Sequence, residues 1–127
     1  MGTITQTITS EQLVVGYGVR TENAKVTTNT AYKRGDLLNI DAANVAGHPV
    51  VTGGVVGDWN AIAVADFTAE QATYHAANDL EMPIYVQGPF DVAVITVNGV
   101  KLTAGQIDAV RAQGLNNKIE LRKVVGN

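Results

Sequence analysis

Cysteine is missing altogether from this chain of 127 residues. That excludes a disulfide framework, a thiolate nucleophile and any cysteine-built metal site, and it suits a protein made in a reducing cytoplasm. Histidine is nearly as scarce. Neither His48 nor His75 lies in a His-x-x-x-His or Glu-x-x-His arrangement that would aim two ligands at one metal. A lone imidazole also lacks the orienting partner that base catalysis needs, so His48 before Pro49 reads as a turn residue and His75 as the polar side of a local segment. Charge is thin, with 17% charged residues, a formal net charge of −3 and scattered Lys and Arg. No basic patch is available to displace counterions from a nucleic acid. No stretch approaches the ~18 unbroken apolar residues of a membrane span. The start, MGTITQTITS, lacks the basic n-region and apolar h-region of a signal peptide. Aromatic residues, at 6%, are too few for the exposed aromatic face of a carbohydrate-binding or adhesin-type β module.

What is present is β-branched. A chain of this length is one domain's worth, and 46% hydrophobic residues give it a core. Residues 1–10 alternate Thr and Gln with Ile4 and Ile8 and carry no charge; they favour extended structure but hold few groups with which to dock. They read as an N-terminal arm, extended or disordered when free, ahead of a single β-rich domain over 11–127. Residues 12–17, 24–28 and 37–40 read as short strands. Residues 50–52 and 55–56 flank Gly53-Gly54 as a tight hairpin. The near-continuous apolar run 61–67 reads as a strand buried on both faces. Residues 84–86 and 92–97 give the clearest strand patterns, the second running into Asn98-Gly99, whose tolerance of positive φ marks a hairpin. Two helices are predicted. Thr103 and Gln106 form a capping-box pattern, with Gly114 as the left-handed residue past the end and Leu115 lying back on Val110. Thr68 and Gln71 repeat the pattern over 68–78, where the poor apolar periodicity fits an ordered loop equally well. The expected class is mainly β with one or two short helices.

Chemistry is hard to find. The carboxylates Asp36, Asp41, Asp58, Asp66, Asp79 and Asp91 fall at strand ends and beside turns, where Asp bonds local backbone without any further role. Gly53-Gly54 with Gly57 is no phosphate loop, because no Gly-Lys-Ser/Thr follows. Trp59, the sole tryptophan, reads as a core residue beside a turn. Arg34-Gly35-Asp36 spells an adhesion tripeptide, but apolar residues stand at both ends, with Tyr32 before it and Leu37-Leu38 after. Gly35 is better explained as the turn that feeds the next strand. On that reading Asp36→Glu costs little, whereas Gly35→Val damages the fold.

The same stretch, YKRGDLL at 32–38, resembles the basic-Gly-x-hydrophobic-Leu pattern of the small head decoration proteins of tailed bacteriophages, the lambda decoration protein type. In order along the chain, LVVG at 13–16, AIAVA at 61–65 and PIYVQGPF at 83–90 are also similar to that family's segments. The likeness spans roughly residues 11–100 as a series of weak motifs. It implies a β-clip-like domain, no catalysis, no cofactor and no metal. It implies a homotrimer on the outside of an expanded capsid, at three-fold and quasi-three-fold sites. There it bridges copies of the major capsid protein and resists DNA pressure, with the host cytoplasm as the place of synthesis. The capsid-binding arm would comprise Thr3, Ile4, Thr5, Gln6, Thr7, Ile8 and Thr9, adding a strand to an exposed sheet edge. The structural turns would be those at Gly35, Gly88, Asn98 and Gly99. The alternative is a small β-sandwich binding or adhesin-type module on a virion or cell surface.

Overall fold

Five strands close into a ring in the computed structural model, which describes residues 12–124. They are β1 (Arg20–Val26), β2 (Leu37–Ile40), β3 (Val45–Gly47), β6 (Ala61–Ala63) and β7 (Glu81–Asp91). β1 runs parallel to β3, β3 antiparallel to β2, β2 to β6 and β6 to β7, and β7 returns antiparallel to β1. Two small hairpins stand apart, β4 (Val51–Thr52) with β5 (Val55–Val56) and β8 (Thr96–Val97) with β9 (Val100–Lys101). Helix α1 (Ala69–Ala77) precedes β7, and α2 (Ala104–Asn116) precedes the last strand, β10 (Ile119–Arg122). The protein is mainly β, with two helices among the described residues.

The ring explains the apolar runs. Successive side chains on a strand face opposite ways, and here both ways are buried. Leu37 and Ile62 enter one cluster with Trp59, Phe90, Ile95, Val110, Ile119 and Leu121 under α2. Their neighbours Leu38, Ala61 and Ala63 enter a second, alanine-rich cluster with Ala24, Tyr32, Met82 and Ile84. Each large aliphatic side chain so buried contributes about 1.5–3 kcal/mol.

β7 is long enough, at 11 residues, to serve two sets of neighbours. Its first part lies between β1 and β6; its last four residues lie between β10, in parallel, and the incoming chain at residues 13–15. Gly88 stands at the handover with φ 134°, and a Cβ there would meet the Val19 backbone at 3.0 Å. Only glycine suits both demands.

Several expectations change. Residues 12–17 form no strand beyond a single bridge from Val14 to Phe90, because Gly16 and Gly18 turn the chain away. The strand expected at 24–28 begins earlier and ends at Val26. The run 61–67 leaves the sheet after Ala63, since Phe67 exchanges both backbone hydrogen bonds with Tyr32 (2.9 and 2.8 Å). Residues 92–97 open with a 3-10 turn, Val92–Val94, instead of a strand. Asp91 accepts the Ala93 N–H at 2.9 Å there, and local bonding of this kind competes with a ladder. Gly114 is helical. It is needed for close approach, as its Cβ would stand 2.5 Å from the Ile119 carbonyl oxygen and 3.2 Å from the Trp59 ring. The left-handed residue past the helix is Lys118, at φ 64°. With the helix continuing, Leu115 faces solvent and away from Val110. The segment 68–78 is a helix, held by a complete capping box between Thr68 and Gln71 (2.8 and 3.1 Å).

Candidate interaction surface and the turn cluster behind it

Asp36, the last residue of the adhesion-like tripeptide, is only 1% exposed. Its Oδ2 accepts the Lys33 N–H at 2.9 Å; its Oδ1 accepts the Gly99 N–H at 2.8 Å and the hydroxyl of Thr96. The Gly35 carbonyl accepts the Thr96 N–H at 3.1 Å, and the Gly35 N–H donates to Ala63 at 3.0 Å. One carboxylate thereby ties the turn at Gly35 (φ 97°) to the turn at Asn98 (φ 49°) and Gly99 (φ 82°), across 63 residues of chain. An adhesion receptor needs that carboxylate in solvent, so the tripeptide is structural. Asp36→Glu, expected above to cost little, would have to fit an extra methylene beside a buried carboxylate that already holds three donors.

His48 approaches this carboxylate, with Nδ1 3.9 Å from Oδ2. Its Nε2 lies 2.7 Å from the Ala31 carbonyl oxygen and donates to it, and its ring packs on Tyr32 at 5.3 Å between centroids. The two buried hydroxyls here give their protons away within the fold, Thr96 to Asp36 and Tyr32 to the Ala46 carbonyl. His75 bonds the Gln71 carbonyl at 2.9 Å and meets Phe67 edge-on. Three other aspartates, Asp41, Asp66 and Asp91, accept from backbone N–H groups. Asp41 accepts from Ala43 and Val45 (2.9 and 3.0 Å), and Asp66 accepts from Arg34 at 2.7 Å. Among the described residues no group of three His, Cys, Asp or Glu is placed to hold a metal ion.

Residues 3–9, assigned above to capsid binding, lie outside the described residues. The chain takes up at Gln12, and Leu13 is buried in the core. Antiparallel to the end of β7, the Asp91 N–H donates to Leu13 at 2.8 Å and the Val15 N–H to Pro89 at 3.2 Å. The described chain therefore enters the domain at the Asp91 end of β7, through a lead-in clamped by these two hydrogen bonds and the burial of Leu13. At the other end of this stretch the loop at Gly16 and Gly18 displays Tyr17, which is 100% exposed. Beside it runs an open groove of about 410 Å³, with Gly88 and Pro89 on its floor, exposed Leu115 on one side and the Glu120–Arg122 ion pair (3.0 Å) on the rim. The hydrogen bond from Arg122 holds the Glu120 carboxyl below its ordinary value of 4.5. A second exposed apolar surface is made by Val50, Val51 and Val55 around the β4–β5 hairpin. Tyr17 and the clamped lead-in were not foreseen as parts of one surface, since only the pairing of residues 13–15 with β7 brings them together.

No protein-family model matches this chain, and no curated protein sequence matches it.

Proposed function

We propose that the protein is a structural decoration protein of a bacteriophage head. It binds the outer surface of an expanded capsid at three-fold and quasi-three-fold sites, as a homotrimer, and holds neighbouring copies of the major capsid protein together. It performs no catalysis. The observation that carries this reading is the clamped lead-in: Leu13 is buried and residues 13–15 are bonded to the end of β7. A pull on residues 1–10 is thus borne by sheet hydrogen bonds and core packing. The sequence of the arm, with no charge and with Ile4 and Ile8 four positions apart, where an extended strand would put them on one side, suits main-chain pairing to a sheet edge on the capsid. Three arms from one trimer must let go together, so weak single contacts resist pressure on the shell. Further support comes from the resembling segments at 32–38, 61–65 and 83–90, which fall on or beside β2, β6 and β7, consecutive neighbours in one sheet.

The test is deletion of residues 1–10. The truncated protein should unfold at nearly the same temperature as the full chain and fail to bind expanded heads, whose three-fold positions carry density when the full chain is added. Equal binding by the truncated form would overturn the reading, as would single copies at capsomer centres.

A further inference from the structure

The turn at Asn98 and Gly99 carries a reactive pair as well as a chain reversal. In an Asn-Gly sequence the glycine backbone nitrogen can attack the asparagine side-chain carbonyl carbon, Cγ. The new N–Cγ bond closes a succinimide ring. The side-chain nitrogen leaves as ammonia, taking up the proton that the glycine N–H releases, and water then opens the ring to aspartate or isoaspartate. Glycine in the second position favours the attack, because no Cβ stands in its way. Asn98-Gly99 is the only such pair in the chain.

The fold leaves the electrophile free and holds the nucleophile. Asn98 is exposed, and its carboxamide makes no hydrogen bond among the described residues. The Gly99 N–H instead donates at 2.8 Å to Oδ1 of Asp36, a residue only 1% exposed whose carboxylate is itself fixed by the Thr96 hydroxyl and the Lys33 N–H. To attack Cγ, the Gly99 nitrogen must give up that proton and gather negative charge. A carboxylate is far too weak a base to take a peptide proton, so it gives the attack no help. Its charge-assisted hydrogen bond favours the intact N–H, and its negative charge opposes the charge that must build on the nitrogen. Away from bulk water that opposition is poorly screened. We propose that Asn98 is a deamidation site which the fold keeps closed, with the Asp36 carboxylate as the group that closes it. The modification then waits on opening of the turn cluster. Its products are costly to the turn, since isoaspartate inserts an extra carbon into the backbone and either product adds a negative charge beside a turn already tied to Asp36.

The β4–β5 hairpin offers the comparison that tests this. Its φ angles of 58° at Gly53 and 80° at Gly54 match those of 49° at Asn98 and 82° at Gly99, and among the described residues no side chain accepts the Gly54 N–H. Gly53→Asn therefore builds a second Asn-Gly turn of the same backbone shape in the same molecule, with no carboxylate behind it. The full-length variant is incubated at neutral pH, digested, and followed by peptide mass and isoaspartate content at both turns. Position 53 should deamidate at least about tenfold faster than Asn98, the effect on the barrier of one charge-assisted hydrogen bond. In strong denaturant the two positions should react at similar rates. Adding Asp36→Ala should bring Asn98 up to the rate of position 53. Adding Leu121→Ala, which weakens the core but keeps the carboxylate, should leave Asn98 the slower site. Equal rates at the two folded turns would overturn the proposal, as would a difference that persists unchanged in denaturant. A slower reaction at Asn98 in the Asp36→Ala chain would overturn it in the opposite sense, making the carboxylate a promoter of attack. If Asp36→Ala does not fold, the two turns of the Gly53→Asn chain still decide. No capsid enters this assay, so its outcome is separate from that of the arm deletion.

Discussion

The Asn98-Gly99 and Gly53-Gly54 turns each reverse the chain between two-residue strands, with paired φ angles of 49° and 82° in one and 58° and 80° in the other. As local backbone they are near copies. Their surroundings are not. The first is held from below by the buried Asp36 carboxylate and leans on the turn at Gly35, whose Cβ position is 2.7 Å from the Val94 carbonyl oxygen. The second has no buried carboxylate behind it: a Cβ on either glycine, as on Gly99, meets nothing within 4 Å, but among the described residues its one side-chain tie to the body is a 3.0 Å bond from Gln106 Nε2 to Gly54. Turn chemistry decides where a chain reverses; the ties behind the turn decide how much of the fold depends on it.

That contrast is most sharply tested at Gly35. Valine there puts a β-branched side chain at φ 97° and drives Cβ into a backbone oxygen that no rotamer change can move. Backbone strain and overpacking together should remove about 4 kcal/mol of stability. Denaturant unfolding of the full chain measures it, and a loss under about 1 kcal/mol would show that the cluster yields. Next comes the carboxylate. Asp36→Ala leaves the Lys33 and Gly99 N–H groups and the Thr96 hydroxyl without their acceptor, at a cost of about 3 kcal/mol. Asp36→Glu keeps the charge but not the fit and should cost about 2 kcal/mol. A silent Asp36→Glu would restore the view that this residue merely decorates a turn.

Local signals were legible in the sequence and long-range ones were not. Both capping boxes, both hairpins and the strand Leu37–Ile40 follow from residues within a few positions of one another. The helix end was misjudged because Gly114 looks like a left-handed terminator, while the Ile119 carbonyl oxygen and the ring of Trp59, 55 positions earlier in the chain, together exclude a side chain there. The same holds for Asp36. Nothing at positions 33–37 says that Thr96 and Gly99 will arrive, so its role as the junction of two turns required the closed ring. Of the candidate surface, the burial of Leu13 and the pairing of residues 13–15 with β7 were not readable, and the residues assigned to the arm lie outside the described residues.

On the other side of the comparison, Gly53→Ala should cost only about 1 kcal/mol, the penalty of a Cβ at positive φ with no clash added. The same substitution at Gly35 should cost at least twice as much, since the nearby carbonyl is felt even by a methyl group. Equal losses at the two sites would mean that tertiary ties add nothing to local strain. Thermal unfolding of the two variants side by side decides it.

The smallest effect concerns a second carboxylate, and it turns the comparison from backbone to charge. Among the described residues the buried Asp36 carboxylate takes its hydrogen bonds from two backbone N–H groups and a hydroxyl, whereas Glu120 has a guanidinium at 3.0 Å and stands half in water. Pairing with Arg122 holds the folded Glu120 carboxyl below its ordinary value of 4.5, so the ionised form is the one that favours the fold. Its contribution is therefore complete above that ordinary value and is lost as pH falls through the lower folded value. Solvent screening keeps it to about 0.5 kcal/mol or less, as for other exposed pairs. Glu120→Gln should be that much less stable than the native chain at neutral pH, and the gap should close as the pH is taken below 4.5. Added salt should shrink it at neutrality, while the loss in Asp36→Ala, screened by burial from ions in solution, should stay constant. A salt-insensitive gap at Glu120 would place that pair with the buried class. A salt-sensitive loss at Asp36 would open the turn cluster to water and undo the contrast from which these expectations derive.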